Sequence, residues 1–358
     1  MWDSIPCLIC LWRIAKARSK NADGILEQKI QSGEQEQVNY IVFDLEWNQA
    51  ADIRTRRENS LLFEIIEIGA VKLNEKREQI ATFHELIRPQ VFHTMNQMTG
   101  ELIHLNMEQL ADCRSFPEVA ADFIQWCGND CIFCTWGNLD LPELQRNMDY
   151  YHMSPVSYKT LKYYDVQKLF SIAFEDKKSR RTLQYAVDFL GIEKDVAFHR
   201  ADTDAYYTAK IIKEITDQKV FDNYSFDTYR LPQNKSEEIW VCFEDYAKYI
   251  SREFPDKPTA MADKKVLSTK CFLCGAKTKK KIPWFTNNGK HYYTIVSCPR
   301  HGMIKEKIRL RKSENDQIYV VKTMKQAGPE IVQDVLNKKN QVRSNRKERR
   351  HSKKEDLF

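Results

Sequence analysis

The sequence lacks any apolar run of the ~18 to 20 residues that would span a bilayer. It also lacks the features of a secretory signal, because its apolar N-terminal segment contains Asp3 and the basic residues follow that segment rather than precede it. Ten cysteines in 358 residues are too few and too scattered for a disulfide scaffold. We therefore expect a cytoplasmic protein with no membrane partner, in which residues 1–37 form a leader and linker.

The formal net charge of +6 is distributed unevenly along the chain. Residues 39–216 contain 20 lysines and arginines against 27 aspartates and glutamates, whereas residues 264–358 contain 25 against 8. An acidic body joined to a basic region is expected of a protein whose partner is a polyanion. A tail that merely keeps the protein soluble is the alternative. The length and the 42% hydrophobic content suffice for two or three globular domains.

The spacing of apolar residues predicts an α/β domain over residues 38–216. Three strands, at 40–43, 61–73 and 80–87, follow one another with short connections, which favours an antiparallel meander. Helical and strand-like segments then alternate as far as residue 215. This order predicts a mixed sheet flanked by helices on both sides.

Two acidic residues end the first predicted strand. Asp44 and Glu46 are two residues apart, so both carboxylates leave the same face of the strand. Neighbouring carboxylates on an apolar strand repel each other and lose hydration, unless a cation lies between them. The pair therefore predicts a divalent-metal site, and a solvated pair at a strand end is the alternative.

Two later segments offer further candidates. Asp140 follows a buried strand and Gly137-Asn138, so it belongs to the first turn of a helix at the end of that strand. His199 precedes another helix and Asp204 lies about one turn further along it, so both side chains can face one cleft.

Asp-x-Glu, an aspartate about a hundred residues later, and His-x4-Asp together resemble the DEDDh 3′–5′ exonuclease superfamily, which has a ribonuclease-H-like fold. The residues of these motifs, such as Phe-Asp-Leu-Glu-Trp-Asn and Phe-His-Arg-Ala-Asp-Thr-Asp-Ala, are most similar to those of the KapD-like and Eri-type branch. The resemblance implies a metal-dependent exonuclease that removes 5′-mononucleotides from the 3′ end of single-stranded nucleic acid, with RNA preferred over DNA. A regulatory protein that uses the fold to bind nucleic acid or protein is the alternative.

The resemblance also implies roles for individual residues. Four carboxylates would hold two Mg²⁺ or Mn²⁺ ions, with Asp44 bridging them, and His199 would act as the general base. The implied ligands are Asp44, Glu46, Asp140 and Asp204.

Other acidic residues of this domain are expected to be structural. Asp202 is predicted to be solvated or to cap a helix, and the pattern has no place for Asp165. Glu64 and Glu67 are predicted to lie at a loop edge or to form salt bridges, and His84 matches no motif.

A second set of metal-binding residues lies in the C-terminal half. Cys271-x2-Cys274 and Cys298-x2-His301 are each followed by glycine, which permits the left-handed backbone of a tight turn. Three cysteines and one histidine would close a tetrahedral, structural Zn²⁺ site. Residues 264–330 therefore resemble a zinc ribbon, a small β module.

The remaining segments are less specific. Residues 217–263 are interpreted as a connector, in which 240–254 fits one amphipathic helix. The basic tail, 331–358, is predicted to be disordered or weakly helical and to bind phosphates. Lysines near Trp284, Phe285 and Tyr292 indicate stacking of bases beside phosphate contacts on a single strand. Docking of a protein partner through the ribbon or the tail is the alternative.

Overall fold

The computed structural model describes residues 38–50 and 61–355, with side chains as far as residue 348. The predicted leader, 1–37, lies outside the described residues, as do the loop 51–60 and the last three residues of the tail. None of the described helices has the length and hydropathy needed to cross a membrane.

The first domain is built on a mixed sheet of seven strands. The order across the sheet is β4-β3-β2-β1-β5-β6-β7, and β1, β2 and β3 form the predicted antiparallel meander. Strands β5 and β6 run parallel to β1 on its other side. The strands are β1 Asn39–Gln49, β2 Phe63–Leu73, β3 Gln79–Arg88, β4 Arg114–Ser115, β5 Cys131–Thr135, β6 Lys162–Asp165 and β7 Ser225–Phe226.

Helices cover both faces of this sheet, as predicted for the α/β class. Ile41 and Phe43 of β1 pack beneath α3 and α4, whereas Val42, on the other face, packs with α5, α6 and α7. The side chains of Asp44 and Glu46 therefore leave β1 on the side of α7. The helices are α1 Gln97–Ile103, α2 Met107–Leu110, α3 Phe116–Cys127, α4 Asp140–Tyr150, α5 Val166–Phe174, α6 Leu183–Phe189 and α7 Ala201–Glu214.

The second domain is an antiparallel sheet of six strands in the order β10-β11-β12-β13-β9-β8. Its core contains Tyr249, Val296 and Met324 together with two of the cysteines, Cys271 and Cys298. The strands are β8 Ile239–Cys242, β9 Tyr246–Ile250, β10 Lys279–Thr286, β11 His291–Cys298, β12 Gly302–Lys312 and β13 Ile318–Gln326, and a short helix, α8 Lys257–Ala262, follows β9.

The predicted helix over 240–254 is wrong. Residues 239–250 form a hairpin of β8 and β9, closed by a hydrogen bond from the N–H of Phe243 to the carbonyl of Tyr246. The aromatic residues of this stretch recur about every third residue, which mimics a helix, but pairing of β9 with β13 decides the outcome.

The basic tail forms a helix, α9 Pro329–Glu355, so the disordered alternative does not hold for this segment. Its first turns are docked, because Val335 is fully buried against Ile282 and Ile295 of the second sheet. An ion pair between Lys338 and Asp334, four residues apart, supports the same turns.

Candidate metal centres

The acids of β1 lie within the strand rather than at its end. Strand β1 stays paired with β2 as far as Gln49, whereas its pairing with β5 stops at Val42 opposite Cys134. Strand β5 ends at Thr135, and the chain then turns into α4. Because β5 no longer pairs with β1 at this level, the first turn of α4 can lie beside Asp44.

A glycine brings the last helix of the domain to these acids. Gly69 of β2 lies opposite Asp44, and a Cβ atom at Gly69 would lie 2.0 Å from the backbone nitrogen of Asp202. Only a residue without a side chain allows α7 to approach β2 this closely. The approach delivers Asp204 to the acids of β1.

Three carboxylates meet at this point. Asp44, Glu46 and Asp204 each offer an oxygen atom, and these atoms lie within 4.8 Å of one another. Asp140, the first residue of α4, is buried close by, and its carboxylate accepts hydrogen bonds from the backbone N–H groups of Asp140 and Leu45. A set of hard oxygen ligands around one space is what Mg²⁺ or Mn²⁺ binds.

Crowding of these acids changes their proton affinity. Burial raises the pKa of Asp44 well above its ordinary value, and the charges of Asp140, Glu46 and Asp204 raise it further. Burial together with the neighbouring acids raises the pKa of Glu46 to about 8. Burial also raises the pKa of Asp140 to about 7 and that of Asp204 to about 6. Carboxyl groups that hold protons near neutral pH give them up when a cation binds.

His199 lies beside this cluster and is exposed to solvent. Its backbone has a left-handed conformation, with φ at 68°, and its N–H donates a hydrogen bond of 3.3 Å to Oδ1 of Asp204. The conformation is sparsely populated for a residue with a side chain, and the contact with Asp204 helps to hold it. The residue is therefore accessible to solvent beside the acids.

Sequence reasoning did not identify the partners of Glu67, which forms a buried ion-pair network behind the acids. Glu67 of β2 lies directly opposite Glu46 and has no exposed surface. Arg200 donates to both of its oxygens, at 2.8 to 3.1 Å, and His84 lies 2.7 Å away. Burial raises the pKa of Glu67, but the hydrogen bonds and charges of His84 and Arg200 outweigh burial and leave the pKa below its ordinary value.

This network was detectable only in part. Glu67 was predicted to form salt bridges, and the prediction is confirmed. The sequence offered one indication of this role for Glu67: it lies two residues before Gly69, on the same face of the strand. Glu67, His84 and Asp202 also lie close enough to share a cation. Because Arg200 already occupies both oxygens of Glu67, we interpret the group as an ion-pair network.

Two further acids have structural roles, as predicted. Asp165 caps α5, accepting a 2.9 Å hydrogen bond from the N–H of Lys168. Glu64 is buried and accepts hydrogen bonds of 2.8 Å from the N–H groups of Val91 and Phe92.

The second candidate centre joins two turns of the second domain. Cys271, Cys274, Cys298 and His301 each offer one atom, and the four atoms lie within 4.8 Å of one another. The distance from Cys271 Sγ to His301 Nδ1 is 3.5 Å, and the distance from Cys274 Sγ to Cys298 Sγ is 3.7 Å. A tetrahedron with Zn–S bonds of about 2.3 Å and Zn–N bonds of about 2.0 Å has edges of about 3.8 and about 3.6 Å. The spacing therefore fits Zn²⁺.

The turns and the charges support the same interpretation. Gly275 and Gly302 both have the left-handed backbone that was expected, with φ at 69° and 72°. Burial raises the pKa of Cys298, but N–H groups of Arg300 and His301 and contacts with the His301 and Cys271 side chains lower it to about 6. A thiol that ionises readily is a better metal ligand.

The aromatic residues predicted to stack on bases are used inside the fold. Trp284 and Tyr292 pack against the core of the second domain, and Phe285 packs beneath the tail helix. All three rings are only partly buried, so stacking of bases on them stays a prediction.

Comparison with known proteins identifies the first domain. Residues 41–212 match the family RNase_T, described as exonuclease. This part of the chain is therefore similar to exonucleases of that family. The predictions of an exonuclease domain and of a nuclease, a phosphodiester hydrolase, are confirmed. Members of this family use divalent metal ions, in keeping with the acids around Asp44.

No curated protein matches the chain. Among solved structures, the nuclease domain of 3'hExo, a DEDDh family member bound to rAMP, is 18% identical, with a TM-score of 0.43 and coverage of 51% of this chain and 93% of that one. Cell-death related nuclease 4 is 15% identical, with a TM-score of 0.42 and coverage of 52% and 65%. E. coli Exonuclease I in complex with a dA16 oligonucleotide is 12% identical, with a TM-score of 0.46 and coverage of 87% and 71%. Likeness at this level carries no information on substrate.

Proposed function

We propose that this nuclease is a 3′–5′ exonuclease that removes 5′-mononucleotides from single-stranded nucleic acid, with RNA preferred over DNA. The observation that supports it best is the convergence of Asp44, Glu46 and Asp204 on one space, with Asp140 buried close by and His199 exposed beside it. A protein that only bound nucleic acid would gain nothing from buried acids whose charges oppose one another. The preference for RNA is supported only by the resemblance of the sequence motifs around Asp44 and His199 to those of the KapD-like and Eri-type branch.

Each residue of the cluster has a defined part in this proposal. Asp44, Glu46, Asp140 and Asp204 would hold two divalent ions. When bound, such ions stabilise the attacking and leaving oxygens of the phosphodiester. His199 accepts the proton of the attacking water, a role that suits an imidazole near neutral pH. Arg200 and Gly69 fix the backbone on which His199 and Asp204 are carried.

We further propose a structural Zn²⁺ ion on Cys271, Cys274, Cys298 and His301. All four positions of a tetrahedron are filled by the chain, so no position is left for a substrate. The ion would tie the loop before β10 to the turn between β11 and β12. Because thiolate ligands require a reducing environment, the site also supports the proposal of a cytoplasmic location.

Both proposals can be tested on the purified chain. Oligonucleotides of RNA and DNA, labelled at the 5′ end, should be shortened stepwise with Mg²⁺ or Mn²⁺ and remain intact with EDTA. Binding without shortening would favour the regulatory alternative, in which the fold only binds nucleic acid or protein. Elemental analysis should find about one zinc per chain, and none after Cys271→Ser with Cys298→Ser.

A further inference from the structure

The sheet of the second domain has one face that is rich in cations. Along β12, Glu306 and Ile308 are buried on one side, and Lys305, Lys307, Arg309 and Arg311 alternate with them on the other. The four basic residues therefore form a row on a single face of the sheet. Over six residues of strand, the row is about 20 Å long.

Neighbouring strands widen this row. Arg309 lies opposite His291 of β11, Lys307 lies opposite Thr323 of β13, and Thr323 lies opposite Lys248 of β9. Positions directly opposite each other share a face, so Lys248 joins the row. We call Lys248, Lys307, Arg309 and Arg311 the basic face.

The charges of the basic face are not neutralised within the described part of the chain. None of its four members forms an ion pair there, whereas Lys322, on the opposite face, is paired with Glu306 at 2.8 Å. Nε of Arg309 is buried and has no hydrogen-bond partner among the described residues. Burial lowers the pKa of Lys248, and the charges of Arg309 and Arg311 lower it further. Like charges held this close favour an anionic ligand.

A cleft between the two domains lies next to the basic face, because Tyr246, which lines the cleft, is two residues before Lys248 on the same face of β9. The cleft has a volume of about 660 Å³ and is lined by Lys168 and Arg180 of the first domain and by Tyr246 and Lys325 of the second. Acidic residues, among them Asp176, Asp217, Glu244 and Asp245, also line it. Asp245 is engaged with Lys177 at 3.2 Å.

The first-domain wall of the cleft includes the start of α5, which follows a strand close to the one that carries the acids. Lys168 lies in α5, directly after β6, and β6 is separated from β1 by β5 alone. Adjacent strands are about 4.8 Å apart, so β6 lies about 10 Å from the strand that carries Asp44. Burial and the charges of Asp165, Asp227 and Asp140 raise the pKa of Tyr163, and Arg180 lowers it. Tyr163 therefore lies within reach of the charges of both Asp140 and Arg180.

We propose that the basic face and the cleft bind the sugar-phosphate backbone of the single strand whose 3′ end enters the acid cluster. This inference rests on the proposed exonuclease function and adds to it the surface that holds the rest of the substrate. Contacts to phosphates carry no sequence information, so binding is expected to be independent of sequence. The location differs from the lysines around Trp284 that the sequence indicated.

The test compares two triple variants of the full chain. The first is Lys307→Gln with Arg309→Gln and Arg311→Gln. The matched control is Lys277→Gln with Lys280→Gln and Lys281→Gln, three exposed lysines at or before the edge strand β10. Fluorescence anisotropy with a labelled 20-nucleotide strand, without chelator and without added Mg²⁺ or Mn²⁺, measures affinity between 50 and 300 mM salt. Hydrolysis of a dinucleotide with Mg²⁺ measures the active site alone.

Each cation that contacts a phosphate of a single strand contributes about 0.7 to the slope of log K against log salt. Loss of three contacts should lower the slope by about 2 and reduce affinity about 100-fold at 0.1 M salt. The control variant should bind like the wild type, and both variants should hydrolyse the dinucleotide like the wild type. If the first triple variant does not fold, Lys307→Gln with Arg311→Gln should lower the slope by about 1.4.

Two outcomes separate failure of this inference from failure of the proposed function. Wild-type affinity and slope in the folded triple variant would overturn the inference, and the basic face would then fit an acidic protein partner instead. Absence of hydrolysis of both the dinucleotide and the long strand by the wild type would overturn the proposed function, whatever the binding results show.

Discussion

Replacement of Arg200 by methionine should destabilise the chain in a way that depends on pH. Glu67 is fully buried, and the substitution removes the guanidinium that donates to both of its oxygens. Leaving a buried charge without its partner costs about 3 to 5 kcal/mol. Since His84 remains 2.7 Å from Glu67, we expect the lower end, about 3 kcal/mol at pH 6.

The pH dependence follows from the two remaining partners. The pKa of Glu67 is lowered in the folded state, so its stabilising effect is present above the ordinary pKa of a glutamate and is lost in acid. The pKa of His84 is raised, chiefly by its hydrogen bond to Glu67, so its contribution is present below about pH 6.5 and is lost as the pH rises through the raised value. In the variant, His84 is the only partner of Glu67 among the described residues, and the cost should therefore grow between pH 6 and pH 8.5.

Urea denaturation of the full chain at both pH values measures this cost. The side chain of His84 is 39% exposed, so solvent screening should limit the pH-dependent part to about 1 kcal/mol. Addition of Glu67→Gln to Arg200→Met should restore part of the stability and remove the difference between the two pH values. A loss below about 0.5 kcal/mol, equal at pH 6 and pH 8.5, would refute the buried ion-pair network.

Three further predictions concern the centres themselves. Gly69→Ala should displace α7 and lower activity about 100-fold, because its Cβ would overlap the helix backbone, whereas Gly328→Ala meets nothing within 4 Å and should be neutral. Without metal, thermal stability should fall from pH 6 to pH 8.5, because Glu46 and its neighbours hold protons in the folded state and must lose them as the pH rises. Mg²⁺ should therefore raise the melting temperature most at pH 8.5. An Mg²⁺ effect equal at both pH values would argue against metal binding by these acids. Removal of zinc should increase proteolysis near Cys271 and Cys298, and chelation that changes nothing there would contradict the zinc site.

Much of the first domain could be predicted from local pattern. Alternating residues around Val42 and Phe43 determine which face of β1 is apolar, and the same alternation puts Asp44 and Glu46 together on one face. The start of α7 and the separation of His199 from Asp204 follow from helical spacing in the same way. These features depend on neighbours in sequence, which is why the sequence alone predicts them.

Features that depend on distant pairing could not be predicted in this way. Glu67 reaches Arg200 only because β2 and α7 cross at Gly69, and nothing in either segment alone indicates the partner. The hairpin at 239–250 was mistaken for a helix because its aromatic spacing fits both structures and β13 lies about 70 residues later. The basic face is likewise visible only when β9, β12 and β13 are placed side by side.

The most direct measurement is stepwise shortening of a 5′-labelled strand by the wild type, by Asp44→Asn and by Asp165→Asn. The two substitutions are chemically identical, and asparagine can still cap α5 at position 165. With Mg²⁺, we expect a ladder from the wild type and from Asp165→Asn, and an intact strand with Asp44→Asn although that variant remains folded. Shortening by Asp44→Asn at the rate of the wild type would contradict the proposal that the acids around Asp44 form the active site.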